Sequence, residues 1–180
     1  THVEVLLFDV SEQRCLRSWS LQSTRDSKLT TAAVRNASSS QFFCVQNDSS
    51  LLSWDESQTS LRNATKVAVN QSVFSLHAHA TLGPNCLVVS DDGRLTLHAG
   101  DLSVVASCEP AGTGSTKWAQ LVPQKQTPKS STAVLLSLNW SAKGGYAVQA
   151  HVIHLHGNSV SIELAARHPL SLPAKAPVPQ

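Results

Sequence analysis

The chain has 180 residues, 41% hydrophobic and 14% charged, and its 14 Lys and Arg against 12 Asp and Glu leave a net charge of +2. That length suits one globular domain or part of a larger one, and so small a positive charge excludes binding driven mainly by nucleic-acid phosphates. No apolar run approaches the ~18 residues that would span a bilayer, no signal-peptide pattern occurs, and a chain that opens on Thr1 with no Met reads as an excerpt of a longer protein.

Short runs rich in Val, Leu, Phe and Trp, each closed by Asp, Asn, Ser or Gly, predict strands separated by turns. In chain order they cover residues 3–10, 15–21, 29–35, 42–46, 51–54, 66–69, 73–80, 86–90, 94–98, 102–107, 117–122, 133–140, 146–155 and 160–166. Helical periodicity is nearly absent, so the fold class is all-β.

The spacing of the runs narrows the architecture. Runs that follow a long turn begin at Leu29, Val73 and Lys117, 44 residues apart each time, and the second runs at Phe42, Cys86 and Ala133 keep nearly that interval. Four strands in a repeat of this length make a β-propeller blade. The third strand of such a blade often ends in Trp-Asp, as Leu51-Leu52-Ser53-Trp54-Asp55 does, with degenerate versions at residues 5–9 and 95–101. The expectation is a WD40-like β-propeller, about three and a half four-stranded blades of a larger ring. It would occupy residues 1–167, with blade boundaries near 29, 73 and 117. Residues 168–180, with Pro169, Pro173, Pro177 and Pro179, read as a Pro-rich linker or excursion. Further loops are expected at 25–28, 38–40, 111–115 and 124–131. A β-sandwich competes, since it also has turns at short intervals, but the even spacing favours the propeller.

Residues that could carry chemistry are present without the spacing that chemistry needs. His77 and His79 share one strand face, as do His154 and His156, while His151 has the opposite parity, so no third metal ligand is near either pair. These histidines read as solvent-facing, and no metal or cofactor is expected. Cys15, Cys44, Cys86 and Cys108 form no C-x-x-C pair, and Cys44 and Cys86 fall at equivalent second-strand positions, as buried reduced thiols would. The segment Ala111-Gly112-Thr113-Gly114-Ser115-Thr116-Lys117 departs from the phosphate-loop spacing and leads into a predicted strand, so it lacks a helix N-terminus to hold a phosphate. No nucleophile elbow or paired-His helix occurs, and the chain reads as a non-enzyme without a small-molecule substrate. Trp19, Trp54 and Trp118 are expected in the core. The candidate partner contacts are two basic loop pairs, Arg25 with Lys28 and Lys125 with Lys129.

Asn36, Asn47, Asn63, Asn70 and Asn139 each begin an N-glycosylation acceptor pattern, five of seven Asn in all. A secreted or ER-lumenal glycosylated propeller acting as a binding module is therefore the alternative to an intracellular scaffold.

The order and spacing of several segments resemble the amino-terminal propeller of the nucleolar protein 11 family. They are residues 5–13, Leu16-Arg17-Ser18-Trp19-Ser20-Leu21, Ala33-Val34, Leu51-Leu52-Ser53-Trp54, Val73-Phe74-Ser75-Leu76, Leu87-Val88-Val89 and Lys117-Trp118. A fading continuation runs through residues 133–136 and 145–149, so the resemblance covers about residues 3–156. It implies a nucleolar scaffold of the small-subunit processome, in the UtpA (t-Utp) subcomplex, supporting pre-rRNA transcription and processing. The implied partners are other propeller proteins, with pre-rRNA contacted at most indirectly and no membrane involved. The family offers no catalytic residues to carry over.

Overall fold

Strands form over the predicted runs because each run alternates or concentrates apolar side chains between turn-forming residues. In the computed structural model, which describes residues 2–22, 29–36, 39–47, 49–69, 71–127 and 129–171, they assemble into four antiparallel sheets. The first sheet pairs β1 (His2–Asp9) with β2 (Arg14–Gln22). The second is β3 (Leu29–Asn36), β4 (Gln41–Gln46), β5 (Ser50–Asp55) and β6 (Thr65–Ala68). The third is β7 (Val73–His77), β8 (Cys86–Ser90), β9 (Leu95–His98) and β10 (Val104–Cys108). The fourth is β11 (Ser115–Gln126), β12 (Ser130–Ser141), β13 (Gly145–His156) and β14 (Ser159–Leu170). Within each sheet every strand pairs with its sequence neighbour. Among the described residues the helical segments are two single 3-10 turns, Leu61–Asn63 and Ala80–Leu82.

The sheets stack face to face, as blades do. Val5 and Trp19 of the first sheet meet Phe42, Cys44, Leu52 and Trp54 of the second. The opposite face of that second sheet, with Phe43, Val45 and Leu51, meets Val73, Leu76, Cys86 and Val88 of the third. Leu87, Val89, Leu95 and Leu97 then meet Ala133, Leu135, Ile153 and Ile162 of the fourth. Because side chains alternate across a strand, each middle sheet is apolar on both faces, and burial of those faces is the main force holding the stack. Polar ties reinforce it. Ser53 Oγ donates to the Gly100 carbonyl at 2.8 Å, and Ser131 Oγ to that of Thr81 at 2.6 Å. Thr116 Oγ1 donates to the Ser90 carbonyl at 3.0 Å.

A repeated turn sets the blade register. Asp9, Asp55 and Asp101 each accept from the backbone N–H and the hydroxyl of the serine two residues on, Ser11, Ser57 and Ser103. The side-chain bond from the serine leads the effects that hold each carboxyl below its usual range. These Asx turns are 46 residues apart, 55 − 9 and 101 − 55. Asp55 ends the third strand β5, Asp101 follows the third strand β9 and Asp9 ends β1, so β1 and β2 occupy the third and fourth strand positions of their own blade.

Three expectations are corrected. Residues 168–170 are the end of β14, with Pro169 opposite Ala147, and not the start of a linker. β14 is an edge strand, where a residue without an N–H can leave the ladder intact; residues 172–180 lie outside the described residues. The loop expected over 124–131 is a tight hairpin, since β11 runs to Gln126 and β12 starts at Ser130. Trp118 is 43% exposed. It sits opposite Leu138, beyond a register shift between Thr116 and Trp118, and so points to the face of the fourth sheet that the third sheet does not cover.

Candidate docking surfaces

A cavity opens between the second and third sheets, at their outer margin. β6 is only four residues long, so it leaves part of the facing surface of β9 and β10 uncovered. The result is a cavity of about 250 Å³ with Val67, Val69, Val88, Leu102 and Val104 as apolar walls and Gln71, Ser90, Arg94, Thr96 and His98 as polar ones. Arg94 is held by a bidentate pair with Glu109, Nη1–Oε1 2.8 Å and Nη2–Oε2 2.7 Å. Its Nε is buried without an acceptor, and Gln71 Oε1 is buried without a donor. His98 contributes no free nitrogen: Nδ1 donates to the Leu102 carbonyl at 3.0 Å, which leaves Nε2 to accept from the Thr96 hydroxyl at 3.1 Å.

A second, more open depression lies at the hairpin tip of the fourth sheet, where Gln126, Thr127, Lys129 and His156 surround Gly83 and Gly157. The turn is tied by Thr127, whose Oγ1 accepts from Ser130 N at 3.1 Å. Lys129 is exposed in this turn, and Lys125 lies in β11, its side chain outside the described ones. Arg25 and Lys28 fall outside the described residues. Lys129 is thus the basic candidate whose surroundings are defined.

A third surface is the outer face of the fourth sheet. Ala133, Leu135 and Ile153 are buried on the inner face, while Val134, Leu136, Leu138, Val148 and Val152 on the other face stay half-buried. Trp118 and Trp140 stand exposed there, with Lys117 Nζ 6.0 Å from the Trp140 ring centroid.

The histidines and cysteines sort by burial. His151, expected to face solvent, is 1% exposed, because its odd position turns it toward the third sheet; neither ring nitrogen has a partner. Burial lowers its pKa, and does the same to His77 and His98. His154 and His156 are exposed. Cys44 and Cys86 are buried free thiols on the second strands β4 and β8, and burial pushes Cys44 up to about 12 and Cys86 higher still. Among the described residues no three His, Cys, Asp or Glu come together as a metal site would require, and no helix is long and apolar enough to cross a membrane.

The acceptor patterns differ in the same way. Asn36 is fully buried, and its Nδ2 donates to the carbonyls of Gly83 at 2.6 Å and Asn85 at 3.1 Å. Asn139 Nδ2 donates to Ser137 Oγ at 3.0 Å, and its Oδ1 lies 3.1 Å from Thr116 Oγ1, where it competes with the Ser90 carbonyl for the one hydroxyl proton. Both amides are part of the polar structure between or within blades. Asn47 and Asn63 are exposed, and Asn70 lies outside the described residues. Composition alone could not separate these positions, because the acceptor pattern says nothing about which face an Asn occupies.

Stacked antiparallel four-stranded meanders with an Asx turn after the third strand define a WD40-like β-propeller. Solved structures agree. The crystal structure of the WD40 domain of SCAP from fission yeast matches with a TM-score of 0.51 and 16% identity, covering 78% of this chain and 34% of that one. The complex of the fission yeast SREBP-SCAP binding domains matches with a TM-score of 0.58 and 14% identity, covering 85% and 40%. At such identities the likeness is one of fold, and the chain spans between a third and two fifths of the length of the chains it matches. The family model of the nucleolar protein 11 N-terminal domain matches residues 1–103, and the chain belongs to that family. The match takes in the first three sheets up to the β9–β10 turn; the resemblance read further along, at Lys117-Trp118 and in residues 133–149, lies beyond it. No curated protein matches the sequence significantly.

Proposed function

We propose that the chain is a non-enzymatic docking module of small-subunit ribosome biogenesis, located in the nucleolus and working within the UtpA (t-Utp) part of the small-subunit processome. The observation that carries this reading is membership of the nucleolar protein 11 family over residues 1–103. The surfaces support docking to protein more than to RNA. Exposed Trp118 and Trp140 over half-buried aliphatic residues offer contact area of the kind protein interfaces use, whereas 14% charged residues and a net charge of +2 offer little counterion release. Its partners on this reading are other propeller proteins of the subcomplex, its contact with pre-rRNA is indirect, and its effect is to support pre-rRNA transcription and processing toward the small-subunit rRNA.

The test is a tagged full-length protein in cells. It should concentrate in nucleoli, co-purify with propeller proteins of the processome, and keep its mobility after endoglycosidase treatment. A glycosidase-sensitive shift, or a secretory-pathway pattern, would overturn the assignment. The buried Asn36 and the hydrogen-bonded Asn139 favour the intracellular reading, since a glycan on either would have to displace an inter-blade or intra-blade bond.

A further inference from the structure

The fourth strands of the four blades, β2, β6, β10 and β14, each lie at one end of their sheet and are protected unequally. An edge strand exposes unpaired backbone N–H and C=O groups, and proteins blunt such edges with charges or proline. β2 carries Arg14 and Arg17, β6 carries Lys66, and β14 carries Glu163, Arg167 and Pro169. β10, Val104-Val105-Ala106-Ser107-Cys108, carries none of these. It ends its sheet in the order β10-β9-β8-β7, so one side of its backbone has no strand partner. Val104 and Val105 are 58% and 41% exposed, an apolar start to an uncharged edge.

Beside this edge is the cavity between the second and third sheets, and Val104 is part of its wall. Its volume of about 250 Å³ falls just below the ~300–1,000 Å³ typical of sites for drug-sized molecules, and suits one or two side chains. The apolar walls would take an aliphatic group. Arg94, whose two terminal nitrogens pair with Glu109, and Gln71 form part of its polar rim.

We propose that β10 is a strand-addition site: an extended segment of a partner protein, with aliphatic residues at alternate positions, pairs with the free edge of β10 and inserts a side chain into the cavity beside Val104. The pairing supplies affinity through main-chain hydrogen bonds, and the cavity supplies selection for every second side chain. Strand addition here requires neither the nucleolar location nor the processome, so failure of that assignment would leave the site standing, and the reverse holds too.

The test uses the full-length protein and a capped, fluorescent hexapeptide that alternates valine with threonine, together with the same peptide N-methylated at its valines. The unmethylated peptide should bind saturably below about 1 mM and lose at least about tenfold in affinity on methylation, because methylation removes the donors that pair with the edge. Val104→Lys should weaken binding by a similar factor while leaving the melting temperature unchanged, since Val104 is largely exposed. A photo-crosslinker in place of the central valine should label residues within 88–108. Absence of saturation, equal binding of the two peptides, binding indifferent to Val104→Lys, or crosslinks on the outer face of the fourth sheet would each overturn the proposal. The methylated peptide requires no variant and so remains decisive if Val104→Lys disturbs folding.

Discussion

Trp19 and Trp54 are equally buried, at 1% exposure, and differ in one hydrogen bond, so replacing each by Phe isolates the worth of that bond. Both pack on Phe42, with ring centroids 4.7 Å and 5.4 Å away, and 5.9 Å from each other. Trp19 Nε1 donates to the Gln58 carbonyl at 2.8 Å, tying the first sheet to the segment after β5, whereas Trp54 Nε1 is buried with no acceptor. Truncation of either to Ala should cost about 3–5 kcal/mol through lost transfer energy and the cavity left behind, a large part of the ~5–15 kcal/mol that holds a typical domain. Phe separates them. Trp19→Phe loses ring area and also the bond to Gln58, adding about 1–3 kcal/mol. Trp54→Phe loses similar area but removes a donor whose unsatisfied burial already costs an amount on that scale, so the two terms offset and the net change should stay within about 1 kcal/mol. Urea unfolding followed by circular dichroism measures both, provided the slopes match that of the parent. Equal losses for the two Phe variants would refute the hydrogen-bond reasoning. A Trp54→Ala variant as stable as the parent would refute the placement of β5 itself.

His77, His98 and His151 have pKa values lowered by burial from the usual 6.5. The unfolded chain therefore binds protons first, and stability should be full above about pH 7 and fall as pH drops through 6.5 toward the lower folded values, each histidine contributing a slope of up to ~1.4 kcal/mol per pH unit. Urea midpoints at several pH values should show this, and His151→Leu should flatten the slope by about one proton. Asn36→Ala should cost about 1–3 kcal/mol by removing the buried amide that donates to the carbonyls of Gly83 and Asn85, without any change in mobility on a gel. Charge reversal at Lys129, exposed in the β11–β12 turn, should leave the melting temperature unchanged; if that tip docks a partner, co-purification of one complex should fall selectively.

Local chemistry explains why so much of the fold was legible. A strand needs a short apolar run and a turn residue to end it, both contiguous in sequence, so each of the fourteen runs could be placed within a few residues of its strand. The repeat is legible for the same reason. Asp9, Asp55 and Asp101 bond only two or three residues ahead, and a motif that satisfies itself locally survives as a sequence period even where the Trp before it is lost. The candidate site was less legible. Lys129 could be singled out as a loop cation, but nothing contiguous marks Gln71 and Arg94 as neighbours around one cavity, nor β10 as the fourth strand without charge or proline, until the order of strands is known.

The sequence by itself determined the all-β class, the strands, the blade repeat and the family, since all of these rest on patterns within tens of residues. The tertiary structure alone decided which face each residue occupies and what covers that face. Trp19 is buried and Trp118 exposed, though both lie in apolar strands, because one faces the neighbouring sheet and the other faces away from it. His151 is buried while His154 and His156, of opposite parity, are exposed, and Pro169 continues a strand because that strand has a free edge. Burial is set by contacts between residues far apart in the chain, and a pattern read along one strand does not specify its distant neighbour.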